Sequence, residues 1–161
     1  MLSGTSKDKA LAKAQNICAK MEKCRGDIRQ KLFEWKVEKP FHDEILEQLI
    51  KDKFIDEKRF VQYFVRDKYK LNKWGKLKID YALRAKEISS ETIEYALENI
   101  DLEEYTDICR DLLQKRLKTL ANDVADKQKV KLIRFGQSRG YEGAMVYKIV
   151  ENLFNSQEHK E

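Results

Sequence analysis

The stretch Phe54-Ile55-Asp56-Glu57-Lys58-Arg59-Phe60 returns about 45 residues later as Asn99-Ile100-Asp101-Leu102-Glu103-Glu104-Tyr105, with the Ile-Asp pair and the final aromatic residue at the same places. Asp56 and Asp101 are good helix N-caps, because a carboxylate accepts N–H groups that the first helical turn leaves unpaired. In both copies an isoleucine precedes the cap and an aromatic residue occupies the fourth helical position, which is the spacing of a hydrophobic staple. A chain that restarts a helix in this way is built from tandem helical units.

The composition favours helices throughout. The 161 residues are 38% charged and 42% hydrophobic, with one proline and six glycines. Such a chain suits amphipathic helices better than a sandwich or barrel, which needs many turns. No apolar run approaches the roughly 20 residues of a membrane span, and the N-terminus lacks the apolar stretch of a signal peptide. We therefore expect an all-α protein that stays in the cytoplasm.

The cysteines and histidines do not indicate a metal site. Cys18, Cys24 and Cys109 are not spaced as ligand pairs, and only His42 and His159 could complete a zinc site. We expect no metal and no cofactor. Cys18 and Cys109 fall on apolar stripes and are predicted to be core thiols, whereas Cys24 and His42 are predicted to be exposed.

Apolar residues recur at helical spacing along the chain in three successive groups. We predict an all-α fold of three tandem three-helix repeats, forming an elongated, curved array of about nine helices. The predicted bounds are 1–8 for a flexible N-terminus, 9–53, 54–99 and 100–154 for the repeats, and 155–161 for a flexible C-terminus. The middle helix of the second repeat is predicted to use Leu77, Ile79, Tyr81 and Leu83 as its apolar residues. Pro40 is predicted to close the second helix, because the residue before a proline is pushed out of the α region.

The middle helices share a pattern at their ends, in residues 31–37, 82–88 and 135–141. Each has an apolar pair, a polar or basic end and a returning apolar residue. In the third copy Gly140 can take the left-handed conformation that ends a helix, so that Tyr141 folds back onto it. The first two copies lack that glycine.

The formal net charge is +5 and the pI is near 9.0, which favours an acidic or polyanionic partner. The first basic cluster is interleaved with Tyr69 and Trp74 and is the best candidate for contacting an acidic surface of a partner or DNA phosphate. It comprises Arg66, Lys68, Lys70, Lys73, Lys76 and Lys78. The alternative is that these lysines only solvate a helix face while Trp74 and Tyr69 pack inside.

A second basic helix follows later in the chain, and a binding role and simple solvation are equally open for it. Its members are Lys127, Lys129, Lys131, Arg134 and Arg139. An acidic stretch separates the two basic segments and is predicted to be a solvated face, or else to pair with basic patches on a partner. It contains Glu91, Glu94, Glu98, Asp101, Glu103, Glu104 and Asp107.

The residues do not indicate catalysis. Capping explains Asp56, and Arg59 is predicted to bridge to Asp52. The sequence contains neither a glycine-rich phosphate loop nor a nucleophile elbow, and no histidine is placed beside a nucleophile. We therefore predict that the protein is not an enzyme.

Three segments resemble the RecX family, the bacterial regulators of the RecA recombinase. They are Phe54-Ile55-Asp56-Glu57-Lys58-Arg59-Phe60, Lys73-Trp74-Gly75-Lys76-Leu77-Lys78-Ile79 with Leu83, and Arg134-Phe135-Gly136-Gln137-Ser138-Arg139-Gly140-Tyr141. The residues of the structural signature are Ile55, Asp56, Arg59 and Phe60, with Ile100, Asp101 and Tyr105 in the second copy. The resemblance runs from about Ala10 to Phe154, and the order of the segments agrees.

This resemblance implies a regulator that lies in the groove of the RecA filament on DNA and inhibits ATP hydrolysis and strand exchange. It would thereby modulate homologous recombination, DNA repair and the SOS response. We expect a monomer whose partner is the RecA filament, with single- or double-stranded DNA as a second partner contacted mostly through phosphates, and no membrane.

Two other functions stay open from the sequence. A DNA-binding transcriptional regulator is possible because three-helix units resemble helix-turn-helix domains, although no helix carries the Arg, Asn and Gln face that reads bases. A scaffold of helical repeats fits the fold but leaves the three matching segments unexplained.

Overall fold

The computed structural model describes residues 6–158, and this part of the chain is all-helical, with nine helices and no strand. The helices are α1 (Lys7–Lys20), α2 (Arg25–Glu34), α3 (Lys39–Lys51), α4 (Glu57–Lys70), α5 (Lys76–Arg84), α6 (Ser90–Glu98), α7 (Leu102–Lys118), α8 (Ala125–Ser138) and α9 (Gly143–Glu158). No described helix combines the length and apolar character that crossing a bilayer requires.

The repeated phrase begins helices α4 and α7 as predicted. The Asp56 carboxylate accepts the N–H of Arg59 at 2.9 Å, and the Asp101 carboxylate accepts the N–H of Glu104 at 3.0 Å. The residues at the staple positions, Ile55 with Phe60 and Ile100 with Tyr105, are all buried. Each copy therefore joins a capped helix start to the core.

The middle helices α2, α5 and α8 end in the same way, although only the last has a glycine there. Lys36, Glu87 and Gly140 have φ angles of 58°, 64° and 94°. In each copy the residue after the left-handed one donates its N–H to a carbonyl five residues earlier, as in a Schellman motif. These bonds join Val37 to Leu32, Ile88 to Leu83 and Tyr141 to Gly136.

The chain divides into two compact units. The first contains the described residues up to Phe64 together with Ala82–Ala96, and the second contains Val65–Tyr81 together with the described residues from Leu97 onward. Helices α4, α5 and α6 therefore contribute residues to both units. The repeat bounds 9–53, 54–99 and 100–154 stay a prediction.

The first unit has an apolar core built on α1, α2 and α3, including Ala14, Leu32 and Leu49. Two predictions about this region are wrong. His42 is buried, with Nε2 donating to the Val37 carbonyl oxygen at 2.8 Å and the ring edge-on to Phe33. Pro40 does not close the second helix but lies in the first turn of α3, where its missing N–H costs nothing.

The second unit has a core of buried side chains on α7, α8 and α9, among them Cys109, Leu132 and Val150. Tyr105 and Tyr141 are both buried there, with their ring centroids 5.4 Å apart. Helix α9 continues to Glu158, past the predicted end of the third repeat at 154. Of the predicted flexible termini, residues 1–5 and 159–161 lie outside the described residues.

Helix α5 differs from the predicted apolar pattern. Ile79 and Leu83 are fully buried, but Leu77 and Tyr81 are 58% and 80% exposed. The prediction that all of these residues face the core is therefore wrong. The exposed pair is separated by one helical turn and lies together on the opposite side of the helix from the buried pair.

Candidate functional site

The loop that leads into α5 carries the middle of the first basic cluster, and the end of α8 holds it in place. The N–H of Gly75 donates to the Arg139 carbonyl at 2.8 Å, and that of Leu77 donates to the Gly140 carbonyl at 3.0 Å. A Cβ at Gly75 would overlap the backbone of Gly140 and Tyr141. The start of α5 is therefore capped by the end of α8, and the approach requires glycine at position 75.

Side chains from the third repeat complete this attachment. The Tyr141 hydroxyl donates to the Lys73 carbonyl at 3.0 Å, and the Arg139 guanidinium donates to the Asn72 carbonyl at 2.7 Å. The Tyr105 hydroxyl accepts the N–H of Lys76 at 2.8 Å and donates to the Glu142 carboxylate at 2.5 Å. The loop backbone is therefore fixed by bonds to α7 and to the α8–α9 turn.

The two tyrosines remain protonated donors over the whole ordinary pH range. Burial raises the pKa of both phenols, and the hydrogen bond to Glu142 raises the pKa of Tyr105 further. Each can therefore keep its bond to a carbonyl or carboxylate oxygen under conditions in which the protein is folded.

Cations from the basic cluster surround the aromatic rings. The ammonium groups of Lys68 and Lys78 lie 4.7 and 4.5 Å from the ring centroid of Trp74, and that of Lys76 lies 5.2 Å from the ring of Tyr105. Tyr69 is buried and Trp74 is half-buried, in line with the packing alternative for these rings. The cation–π contacts thus favour these positions of the lysines, each by about 0.5–1 kcal/mol at exposed sites.

Acidic residues at the start of α7 partly neutralise one side of the cluster. Lys70 pairs with Glu104 at 3.2 Å. Lys73 lines a cleft of about 470 Å³ whose other charged residues are all acidic, namely Asp101, Glu103, Glu104, Asp107 and Asp111. Within the described residues Lys76 and Lys78 form no ion pair, so they and the exposed Arg66 keep the positive charge of the cluster.

The second basic segment does not form one surface. Lys127, Lys131 and Arg134 are exposed on α8, and Lys131 pairs with Asp123 at 2.7 Å. Lys129 instead turns toward α9, where it lies near Glu151 and over Phe154. Arg139 belongs with the first cluster, through its bond to the loop before α5.

Arg59, in the first copy of the repeated phrase, has a structural role. The prediction that Arg59 bridges to Asp52 is wrong, because its guanidinium donates to the Glu22 carboxylate at 2.5 Å and to the carbonyl of Lys53 at 3.3 Å. Arg59 therefore ties α4 to the end of α1 and to the preceding turn, all within the first unit.

Nothing in the described chain indicates metal or thiol chemistry. No group of three or more His, Cys, Asp or Glu residues is placed there to hold a metal ion. The prediction that Cys24 is exposed is wrong: it is buried, and burial raises the pKa of its thiol to about 12. A protonated, buried thiol is a poor nucleophile. Cys109 is buried as predicted, and Cys18 is half-buried.

Comparison with known proteins identifies the family. The model of the second three-helix domain of RecX matches residues 56–97, and that of the third three-helix domain matches residues 103–150. The chain belongs to the RecX family. RecX proteins are regulatory proteins and not enzymes, and the tandem three-helix fold is that of this family.

The relatives of this RecX-family chain include the regulatory protein RecX of Clostridium beijerinckii, 30% identical over 87% of this chain and 66% of that protein. The RecX of Chlorobium phaeobacteroides is 28% identical over 96% of this chain and 100% of its own. The chain thus spans about two thirds of the clostridial relative and all of the chlorobial one. The crystal structure of RecX from Lactobacillus salivarius superposes with a TM-score of 0.79 at 20% identity, over 91% of this chain and 96% of the other.

Sequence reasoning missed two features of the site. Tyr105 and Tyr141 were recognised as staple and helix-end residues, but their hydroxyl bonds to the loop before α5 join residues 29 and 68 positions apart. The exposure of Leu77 and Tyr81 was also missed. The available signal was that Leu77 and Tyr81 are four residues apart, as are Ile79 and Leu83. One helix face cannot contain both pairs, because they are offset by two residues.

Proposed function

We propose that this RecX-family chain binds the RecA filament on DNA and inhibits its ATP hydrolysis and strand exchange. The observation that carries this proposal is the match of both the second and the third three-helix domain of RecX in consecutive order. Through this inhibition the chain modulates homologous recombination and the SOS response. The site of action is the cytoplasm, because the RecA filament forms there.

The charge distribution supports a surface that contacts the filament or its DNA. Arg66, Lys76 and Lys78 keep their positive charge, and the loop that leads into α5 is bonded to α7 and α8. A preorganised cationic surface gives up little conformational entropy when it binds, and it attracts an anionic partner over the screening length of about 8 Å. Inhibition by such contacts needs no catalytic residue.

The transcriptional-regulator alternative is less well supported. The exposed face of α8 presents Lys127, Val130, Lys131 and Arg134, and its one exposed amide side chain, Gln137, lies in the last turn. Asparagine or glutamine reads adenine in a major groove, and a recognition helix contacts bases with its N-terminal residues. Lysines of this kind contact phosphates at any sequence. The α8 face therefore favours binding that does not depend on base sequence.

The deciding experiment is an assay of ATP hydrolysis by bacterial RecA on single-stranded DNA, with this protein titrated in. We expect hydrolysis to fall at or below one protein per RecA protomer, because one molecule that spans neighbouring protomers affects more than the one it touches. No inhibition at several-fold excess and low salt would overturn the proposal.

A charge-reversal variant identifies the surface. Lys76→Glu with Lys78→Glu should weaken inhibition at least about tenfold, because two attractive contacts become repulsive. The matched control is Lys9→Glu with Lys20→Glu, which makes the same change of charge at exposed positions of α1. Equal loss in both variants would show that only net charge matters. Helix content by circular dichroism checks that both variants are folded.

A further inference from the structure

We infer that Tyr81 and Leu77 on α5 form a stacking platform for a base of single-stranded nucleic acid, with Lys78 contacting the adjacent phosphate. The inference deepens the proposed function, since it assigns the nucleic-acid contact of the filament-binding surface to particular residues. It concerns a pair of residues that the sequence places in the core and that the structure places outside it.

The first observation is that α5 exposes two apolar side chains that do not contribute to the core. Tyr81 is 80% exposed and Leu77, one turn earlier, is 58% exposed. The opposite face of α5 carries Ile79 and Leu83, which are fully buried and supply the core contacts. A single exposed apolar residue is ordinary, but here an aromatic ring and an aliphatic side chain at (i, i+4) spacing are neighbours on the same helix face.

The second observation concerns which aromatic ring can accept a base. Trp74 is the ring that the sequence indicates, but it is half-buried, and the ammonium groups of Lys68 and Lys78 lie 4.7 and 4.5 Å from its centroid. A base would have to displace these cations to stack on it. Tyr81 presents an exposed ring in the same basic segment, so the stacking role passes from Trp74 to Tyr81.

The third observation is the position of the charge. Lys78 lies three residues before Tyr81 on α5, so that the two side chains are neighbours on the surface of this helix. The N–H groups of Gly75 and Leu77 at the start of α5 already donate to the carbonyls of Arg139 and Gly140, directly after α8. These helix-start groups are not available to an anion, and a phosphate is therefore held by the lysine side chains.

Single-stranded nucleic acid is the partner that this arrangement fits. Its bases are unstacked and offer a π-face to an aromatic ring, while its backbone requires nearby cations. The bases of a duplex are stacked on one another and do not present their faces to a protein surface. A protein partner would contact the same pair, Leu77 and Tyr81, without requiring bases. The experiment below distinguishes a nucleic-acid partner from a protein partner.

The test measures fluorescence anisotropy of labelled oligothymidine, and of an abasic oligonucleotide of equal length, at low salt. For the wild type we expect tighter binding to oligothymidine. Tyr81→Ala should weaken oligothymidine binding about tenfold and leave abasic binding unchanged, and Tyr81→Phe should retain the affinity. The matched control is Tyr147→Ala, which removes a 57% exposed tyrosine from α9 and should change neither affinity.

Three results would overturn the inference. One is equal affinity of the wild type for the two oligonucleotides, and another is an unchanged oligothymidine affinity in Tyr81→Ala. The third is a Tyr81→Ala variant that loses RecA inhibition but keeps its affinity for oligothymidine. That result would show that Leu77 and Tyr81 contact a protein. Because the oligonucleotide assay contains no RecA, a failure of the stacking platform and a failure of the proposed function are read separately.

Discussion

The hydroxyl of Tyr141 donates a hydrogen bond to the backbone carbonyl of Lys73, with 3.0 Å between the two oxygens. Tyr141 is the residue that folds back after the end of α8, and Lys73 lies in the loop before α5 at a φ of 58°. Tyr141, which follows the end of α8, therefore fixes the basic loop before α5. The geometry of the candidate binding surface depends on this bond and on those of Tyr105.

Removing these hydroxyls should destabilise the second unit to different degrees. Tyr141→Phe loses one hydrogen bond and should lower the free energy of unfolding by about 1 kcal/mol. Tyr105→Phe loses two and leaves the N–H of Lys76 and the Glu142 carboxylate without this partner, so it should cost more. Urea unfolding measures both, with the exposed Tyr147→Phe as the control that should match the wild type. The reverse order of the two losses would contradict the assigned network.

Gly75→Ala should destabilise the protein by about 1–3 kcal/mol, because the added methyl group overlaps the backbone of Gly140 and Tyr141, which cannot move aside easily. Gly143→Ala is the matched control. Its added Cβ meets only the end of the flexible Gln137 side chain, and alanine favours the first turn of α9. Thermal unfolding should show a lower melting temperature for the first variant only, and a tolerated Gly75→Ala would mean that α5 and α8 do not meet this closely.

Lys36→Gly should stabilise the protein by about 0.5–1 kcal/mol, since glycine takes the left-handed conformation without the steric cost that lysine bears. Lys36 is exposed, so little contact is lost. Glu87→Gly relieves the same strain but removes the ion pair with Arg29 at 2.8 Å, and its gain should be smaller. Urea unfolding of the two variants tests the ranking, and a destabilised Lys36→Gly would show that the left-handed conformation carries no strain there.

The stability should fall in acid partly through Asp27. Burial alone would raise the pKa of this carboxyl, but the Lys86 ammonium at 2.5 Å and the N–H of Cys24 outweigh it and hold the pKa below its usual value. The folded state therefore binds this proton less readily than the unfolded state, and its contribution is present above about pH 4 and lost as the pH falls through the lowered pKa.

Asp27→Asn should accordingly be less stable than the wild type at neutral pH and should lose less stability between about pH 5 and about pH 3. Lys86→Met should flatten the same part of the curve, because it removes the cation that lowers the pKa. Unfolding by urea at several pH values measures these slopes. Slopes identical to that of the wild type in both variants would rule out this ion pair as a source of acid sensitivity.

The predictable part of this structure is the part that depends on neighbours in the chain. Asp56 and Asp101 cap helices because each carboxylate bonds an N–H three residues later, and Gly140 ends α8 because its own backbone tolerates a positive φ. The helix pattern and the family resemblance follow from such local signals. The charge distribution likewise indicated two basic segments, without showing which of their cations pair with acidic residues.

The rest was decided by contacts between residues far apart in the sequence. Lys36 and Glu87 take a conformation that their side chains disfavour, because Val37 and Ile88 must fold back into a core. The carboxylate of Glu104 pairs with the ammonium group of Lys70 and offsets its charge. Sequence alone determined the all-helical fold and the starts of α4 and α7. Only the tertiary structure decided which faces are buried, which lysines pair with acidic residues and that Tyr81 remains in solvent, because burial and ion pairing depend on which helices meet.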